Sequence, residues 1–397
     1  MAVYKIFTEK DTTLYSDYNY MNTGLDPILE LTKNISFNYP SQSTTGRILI
    51  QFPDTDIDFV KSSYIRTSSY SAYLKMYLAD ATGLPTDYTI ETFPVYQPWD
   101  MGTGQFGDSP QTTNGASWVK RLSGRGYTIE VNAEYDVNGY VLDDYYQSIL
   151  EPVFVSSEWI VSGSYPMGVT SSCIPINPGG GNWYTASTAT QSFGVYTEKD
   201  VCLDVTNIIN EFTEKVIPNN GFIIKTSGSL EFDPDNLYKL NYFSRDTNTI
   251  YPPVLEFRWD DSHYNVNGSI GTLVTSQDIR VSIANNKGEF NEKEIYRFRL
   301  NVRDQYPVRT FSTTSLYTSP KYLPISSYYS IKDVKSDTIV VDFDDNYTKI
   351  SADSQGSYFD VYMNGLEPER YYKLLIKTII NGSTIVFDNE YFFKVLQ

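Results

Sequence analysis

The sequence predicts an all-β protein made of two sandwich domains with one short helix. Three observations carry this. Apolar residues alternate with a period of two in one short run after another, which turns one face inward and the other outward. Clusters of Gly, Pro, Asn, Ser and Asp separate the runs and supply turn chemistry. The chain also holds 35 Tyr and 21 Phe, residue types that suit a pleated, half-buried surface and, where the hydroxyl stays wet, a protein interface.

In the first domain, residues 1–262, the clearest strand sets Tyr70, Ala72, Leu74, Met76 and Leu78 against Ser71, Tyr73, Lys75 and Tyr77. Similar runs occur at Ile28 to Leu31, Arg47 to Phe52, Thr89 to Tyr96, Phe222 to Lys225, Tyr238 to Phe243 and Val254 to Trp259. Short strands so spaced predict a sandwich or jelly roll. One helix is expected over Asp204 to Lys215, with Asp204 capping it and Val205, Ile208, Ile209 and Phe212 on one face. Residues of about 99–200 read as a long loop insertion, because Trp99 to Gly107, Gly124 to Gly126 and Pro178 to Gly181 break the periodicity. Loops of such length are usually contact surfaces or covers for a sheet.

The polar run Asp260 to Gly268 marks a boundary. In the second domain, residues 263–397, strands are expected at Ile295 to Val302, Thr338 to Phe343, Tyr358 to Met363, Tyr372 to Thr378 and Tyr391 to Val395. Asn364-Gly365 and Asn381-Gly382 signal hairpins or corners. The spacing suggests an immunoglobulin-like sandwich.

Composition removes several functions. With 31 Lys and Arg against 48 Asp and Glu, a net charge of -17, the chain lacks the basic surface that tracks a phosphate backbone, so nucleic acid is not an expected partner. Two cysteines, Cys173 and Cys202, are too few for a disulfide framework or a four-thiolate zinc site. Met1 to Lys10 lacks the apolar run of a signal peptide, and nothing approaches the roughly 18 to 20 apolar residues of a membrane span. The expectation is a cytosolic product without a membrane partner, released by a route such as host lysis.

Catalysis is poorly supported by the sequence: paired carboxylates abound, but glycoside chemistry depends on their separation in space, which spacing along the chain does not give, so a hydrolase is the disfavoured alternative. The sole histidine, His263, lies in the polar boundary run and builds neither a triad nor a metal pair. Gly179-Gly180-Gly181 lacks the strand and helix context of a phosphate loop and reads as an ordinary flexible loop. No catalytic or cofactor-binding residue is therefore assigned. Asp54, Asp56 and Asp58 alternate and are the weak candidates for calcium. Phe59 and Ile65 stand where an EF-hand loop needs Gly and Glu, which favours surface carboxylates without a metal. Trp99, Phe106, Trp118, Trp159 and Trp183 are the candidate interface or ligand residues. Exposed together, the tryptophans would form platforms for sugar rings; the favoured alternative is a satellite core beneath the insertion, since large aromatics bury deeply.

Several blocks together resemble the DNRLRE family of jelly-roll domains, relatives of carbohydrate-binding modules, in the versions found in phage virion proteins. The blocks are Asp11-Thr12-Thr13-Leu14-Tyr15, Asn22-Thr23-Gly24, Arg47 to Phe52, Trp99-Asp100, and Asn114 to Trp118. Asp204-Val205-Thr206, Asn219-Asn220-Gly221-Phe222, Phe243-Ser244-Arg245 and Tyr251 to Glu256 complete them. The string DNRLRE itself does not occur, so the resemblance rests on the ensemble. Fold alone accounts for most of these residues: Asn22 and Gly24 suit a turn, Arg47 can pair at the rim, and Pro252 and Pro253 set an edge strand. Gly365 to Tyr372 resembles the corner before a late strand of fibronectin type III domains, with Tyr372 placed for a tyrosine corner.

The whole chain resembles structural proteins of tailed bacteriophages, including crAss-like and related marine phages. That implies a non-enzymatic virion component, a ring, collar or tail protein at the head-to-tail region. Its partners would be further copies of itself in a ring-like homo-oligomer and other tail, collar or portal-region proteins. A host-facing adhesin that binds surface glycans through the first domain is the alternative.

Overall fold

The computed structural model describes residues 2–35, 43–65, 69–123, 127–130, 153–156, 159, 179–231, 233, 235–267, 271–306 and 321–397, with backbone alone for 127–130, 153–156 and 229. The protein is all-β, a set of sandwich-like sheets with a few short helices. It divides into two compact units. The first comprises Phe7–Asp58 and Tyr73–Leu255; the second comprises Met1–Ile6, Phe59–Ala72 and Glu256–Gln397.

The main sheet of the first unit runs Ala189–Phe193, Tyr88–Pro94, Phe222–Thr226, Ser43–Gln51, Ile28–Ile35, Tyr238–Phe243 and Leu78–Thr82, and Lys10–Tyr15 also pairs with Ser43–Gln51. All these pairings are antiparallel. Burial follows sequence: Tyr88, Ile90 and Thr92 alternate inward, whereas the central Phe222–Thr226 is buried at every residue, as a strand covered on both faces must be. Tyr73 to Met76 pairs with Val201–Asp204 in another sheet.

The expected helix forms as Thr206–Thr213, inside the predicted bounds, with Val205, Ile208, Ile209 and Phe212 buried. Asp204 lies one residue before the cap position and its carboxylate accepts the Thr206 amide at 3.0 Å.

In the second unit, Ile295–Asp304 pairs with Ile279–Ile283, with Gly356–Tyr362 and, at Val302, with Lys321. Ser351–Asp353 extends this sheet beside Gly356–Tyr362. The other sheet has the order Glu289–Asn291, Ser383–Leu396, Tyr371–Ile380, Ser327–Asp333 and Ile339–Val341. Its first pair is parallel and the rest antiparallel. One core joins the two sheets: Phe298, Leu300, Phe359 and Val361 pack with Tyr329, Ile331, Leu374, Ile376, Phe393 and Val395. Tyr329 and Phe359 stack at 4.5 Å between ring centroids.

Two local expectations are met here. Asn381 and Gly382, with φ of 51° and 78°, close the two-residue turn between Ile380 and Ser383, the left-handed pair that matches the twist of a hairpin. The Tyr372 hydroxyl donates to the Glu367 carbonyl at 2.9 Å, which is the tyrosine-corner bond. Asn364-Gly365 instead ends a short 3-10 turn, Met363–Gly365. The polar run around His263 is tied to a strand of this unit. The exposed His263 donates its amide to Ser351 Oγ at 3.1 Å, and its carbonyl accepts the Ala352 amide at 2.9 Å.

Candidate functional site

The candidate aromatics separate into one buried group and one exposed ring. Trp99, Trp118, Trp159 and Trp183 are 1%, 4%, 4% and 5% exposed and share a cluster with Leu14, Leu49, Val95, Ala116 and Ile223. The four form the satellite core favoured from the sequence, and the alternative of an exposed platform fails for all of them. Their indoles are core, and two of their N–H groups are committed inward: Trp99 Nε1 donates to Asn220 O at 2.9 Å and Trp159 Nε1 to Ser117 O at 3.0 Å. Phe106 is 52% exposed and meets Tyr18 edge-on at 5.9 Å.

Arg47 does not sit at the rim. It is 1% exposed, with its guanidinium 5.1 Å from the Trp118 ring centre and 5.2 Å from that of Trp183. Its Nε donates to Glu231 Oε1 at 2.7 Å and its Nη1 to the Gly180 carbonyl at 2.7 Å. Lys225 lies 3.6 Å from the other Glu231 oxygen and bonds Glu91 at 2.8 Å. Buried charges persist only when paired and hydrogen-bonded in this way.

Gly179-Gly180-Gly181, read from sequence as a flexible loop, is instead a buried strap over this cluster. Gly180 has φ of 83°, its amide donates to Trp118 O at 2.6 Å, and a Cβ there would fall 2.6 Å from the Trp118 ring and 2.7 Å from Arg47 Nη1. Glycine is required because backbone lies directly on an aromatic face.

The blocks that carry the family resemblance are stitched to one another. Buried Asn22 donates from Nδ2 to Met101 O at 2.7 Å and Ala116 O at 2.8 Å, and its Oδ1 accepts the amides of Gly104 at 2.9 Å and Gly24 at 3.2 Å. It thus latches the start of the insertion. Thr23 Oγ1 donates to Thr13 O at 2.9 Å, joining the Asn22 block to the Asp11 block. Asp11 in turn accepts the Arg245 amide at 2.8 Å. Burial pushes the Asp11 carboxyl up to about 7, opposed by the Arg245 amide and reinforced by the charge of Asp246. Asn219 donates to Phe52 O at 3.0 Å and Asn220 to Tyr96 O at 3.0 Å.

Asp54, Asp56 and Asp58 do not lie in a loop. They belong to the helix Asp54–Val60, where Ile57 and Val60 are buried and the carboxylates exposed. Successive helical residues are turned by about 100°, so Asp56 points away from the edge shared by Asp54 and Asp58. Asp54 accepts from Asn219 Nδ2 at 2.8 Å and Asp58 from Lys215 at 3.3 Å. Their oxygens are dispersed rather than convergent. Among the described residues no three His, Cys, Asp or Glu side chains group to hold a metal ion, and no helix is long and apolar enough to cross a membrane. Cys202 is exposed on Val201–Asp204, and Cys173 lies outside the described residues.

An open groove of about 400 Å³ in the first unit is bordered by Asp87, Thr89, Ser192 and Ser227. Its floor, Tyr88 stacked on Phe193 at 4.8 Å, is buried, with the rings 5% and 2% exposed. The groove offers hydroxyls and a carboxylate but no broad aromatic face.

No family model matches this chain, and no curated protein matches it.

Sequence reasoning missed the buried ionic centre, because nothing in the spacing of Arg47, Glu91, Lys225 and Glu231 announces that they meet. A faint signal existed: Arg47, Lys225 and Glu231 each stand in or beside apolar stretches, where a charge must find a partner.

Proposed function

We propose that this chain is a non-enzymatic structural component of a tailed-phage particle, a ring, collar or tail protein present in multiple copies at the head-to-tail region. The observation that carries the reading is the use to which the family-resembling blocks are put. Side chains of one block bond or stack onto another in the first unit: Thr23 on the Thr13 carbonyl, Asp11 on the Arg245 amide, Asn22 on the Ala116 carbonyl, Asn219 on the Phe52 carbonyl, Trp99 on the Asn220 carbonyl and Arg47 on the Trp118 ring. They brace a scaffold and do not converge on a cleft. A component whose work is geometric needs such rigidity, since its surfaces must match their neighbours in every copy.

The strand order of the second unit supports an immunoglobulin-like module. Ile279–Ile283, Ile295–Asp304, Gly356–Tyr362 and Ser351–Asp353 correspond to strands A, B, E and D. Glu289–Asn291, Ser383–Leu396, Tyr371–Ile380, Ser327–Asp333 and Ile339–Val341 correspond to A′, G, F, C and C′. The Tyr372 corner falls at the start of strand F, where this fold has it. The jelly-roll reading of the first unit rests on its long antiparallel sheet and on the family resemblance.

Immunogold labelling of intact particles with antibodies raised against the purified chain tests the proposal. Gold at the tail or its junction with the head is expected. Particles that stay unlabelled while lysate debris labels would contradict it.

A further inference from the structure

The net charge of -17 is confined to one unit. The first unit has 29 Asp and Glu against 12 Lys and Arg, whereas the second has 19 of each. Within the neutral unit, lysines gather on the outward face of one sheet.

Cross-strand partners share a face, so the register defines this surface. Ile339, Lys332, Lys373 and Phe392 form one row across four strands, and Lys377 and Val386 form another that ends on the buried Tyr328. Tyr371 and Lys394 add a third pair. Ile339 and Tyr371 are 56% exposed, Val386 50% and Phe392 41%. Lysines and apolar side chains alternate over the sheet.

Lys332 and Lys373 stand directly opposite each other, an arrangement of like charges that costs stability. The acids that answer them lie at the border: Asp337 bonds Lys332 at 2.7 Å and Asp388 bonds Lys373 at 2.6 Å, and these carboxylates are 85% and 47% exposed. Such surface pairs hold weakly and exchange readily for better partners. Lys377 lies 4.8 Å from the Tyr328 ring centre and 4.9 Å from that of Phe343, which leaves it positioned over apolar surface.

We propose that this lysine-and-aromatic face of the second unit is an interaction surface for a second copy of the chain, docking against that copy's acidic first unit. Charge complementarity selects the partner, because the counter-charge is carried by the chain itself. Aromatic and aliphatic side chains between the lysines supply apolar area, and the lysines set register and encounter rate. A contact between two different surfaces is heterologous and closes into a ring when its rotation divides a full turn. The proposal deepens the reading of the chain as a multi-copy particle component and rests on it for the choice of partner.

Sedimentation velocity of the full-length chain, in low and high salt, is the test. The wild type assembles at low salt and dissociates as salt rises. K373E/K377E alters two surface residues and weakens assembly by at least about tenfold. Because the variant keeps its acidic unit, adding it to wild type caps the growing end and shortens the assemblies. A wild type that stays monomeric at every salt concentration would overturn the proposal, as would assembly indifferent to K373E/K377E. A monomeric wild type that binds heparin through Lys373 and Lys377 would reassign the face to another polyanion. Incorporation of K373E/K377E into particles at wild-type copy number would refute this surface and leave the particle reading standing. Absence of the wild type from particles would remove that reading itself.

Discussion

Arg47 and Glu231, 184 positions apart in sequence, form a 2.7 Å ion pair whose side chains are 1% and 2% exposed. The Arg47 guanidinium also lies against the rings of both Trp118 and Trp183, and Glu231 reaches Lys225 with its other oxygen. Removing one partner strands a buried charge, which costs about 3–5 kcal/mol. Arg47→Met is therefore expected to destabilise the protein by that amount in urea denaturation. Arg47→Met combined with Glu231→Leu is expected to cost less than the sum of the single changes. Strict additivity would show that the two groups do not interact.

The strap glycine and the hairpin glycine separate two causes of glycine dependence. At Gly382, φ is 78° but an added Cβ meets nothing within 4 Å, so Gly382→Ala carries only the backbone cost, about 1 kcal/mol. At Gly180 the same change also drives a methyl into Trp118 and Arg47. Gly180→Ala is expected to lower the denaturation midpoint clearly more than Gly382→Ala. Equal midpoints would mean that the strap does not lie on the tryptophan.

Tyr372→Phe removes the hydroxyl that donates to Glu367 O and leaves the ring in the core. The expected loss is about 1 kcal/mol, seen as faster amide exchange around 366–372. Unchanged stability and exchange would show that the corner bond contributes nothing.

Asp11 makes stability depend on pH in a definite direction. Its carboxyl titrates near 7 in the fold, against 3.8 for an unburied Asp. Between those values the folded state holds a proton that the unfolded state has released, so stability falls as pH rises, by up to about 1.4 kcal/mol per pH unit. Asp11→Asn keeps an oxygen for the Arg245 amide and removes this slope. The variant is expected to gain stability over the wild type at pH 7.5 and to show a flatter profile between pH 4 and 7. A parallel profile in both proteins would contradict the burial of an ionisable group at this position.

Much of the sheet structure is legible from sequence because period-two burial leaves a direct trace. Tyr238–Phe243 and Val254–Trp259 have the predicted bounds, and Asn381-Gly382 and Tyr372 act as their local chemistry requires. Asp54–Val60 misleads because its alternating aspartates mimic a loop. Pro53, an acidic first turn, and Ile57 with Val60 three residues on were the helix signals. The candidate site was less legible. Composition identifies the tryptophans, but whether an indole faces water depends on what packs above it. Here that cover is the glycine strap and the Asn22 latch, both set by long-range hydrogen bonds.

The proposed role stands or falls on whether the protein is part of the particle. Peptide mass spectrometry of gradient-purified phage particles, with copy number measured against the major capsid protein, tests it most directly. Recovery at roughly a dozen copies per particle is expected, the order of magnitude for a cyclic assembly on a portal axis. Absence from intact particles, with the protein found only in infected cells or on cell surfaces, would contradict it.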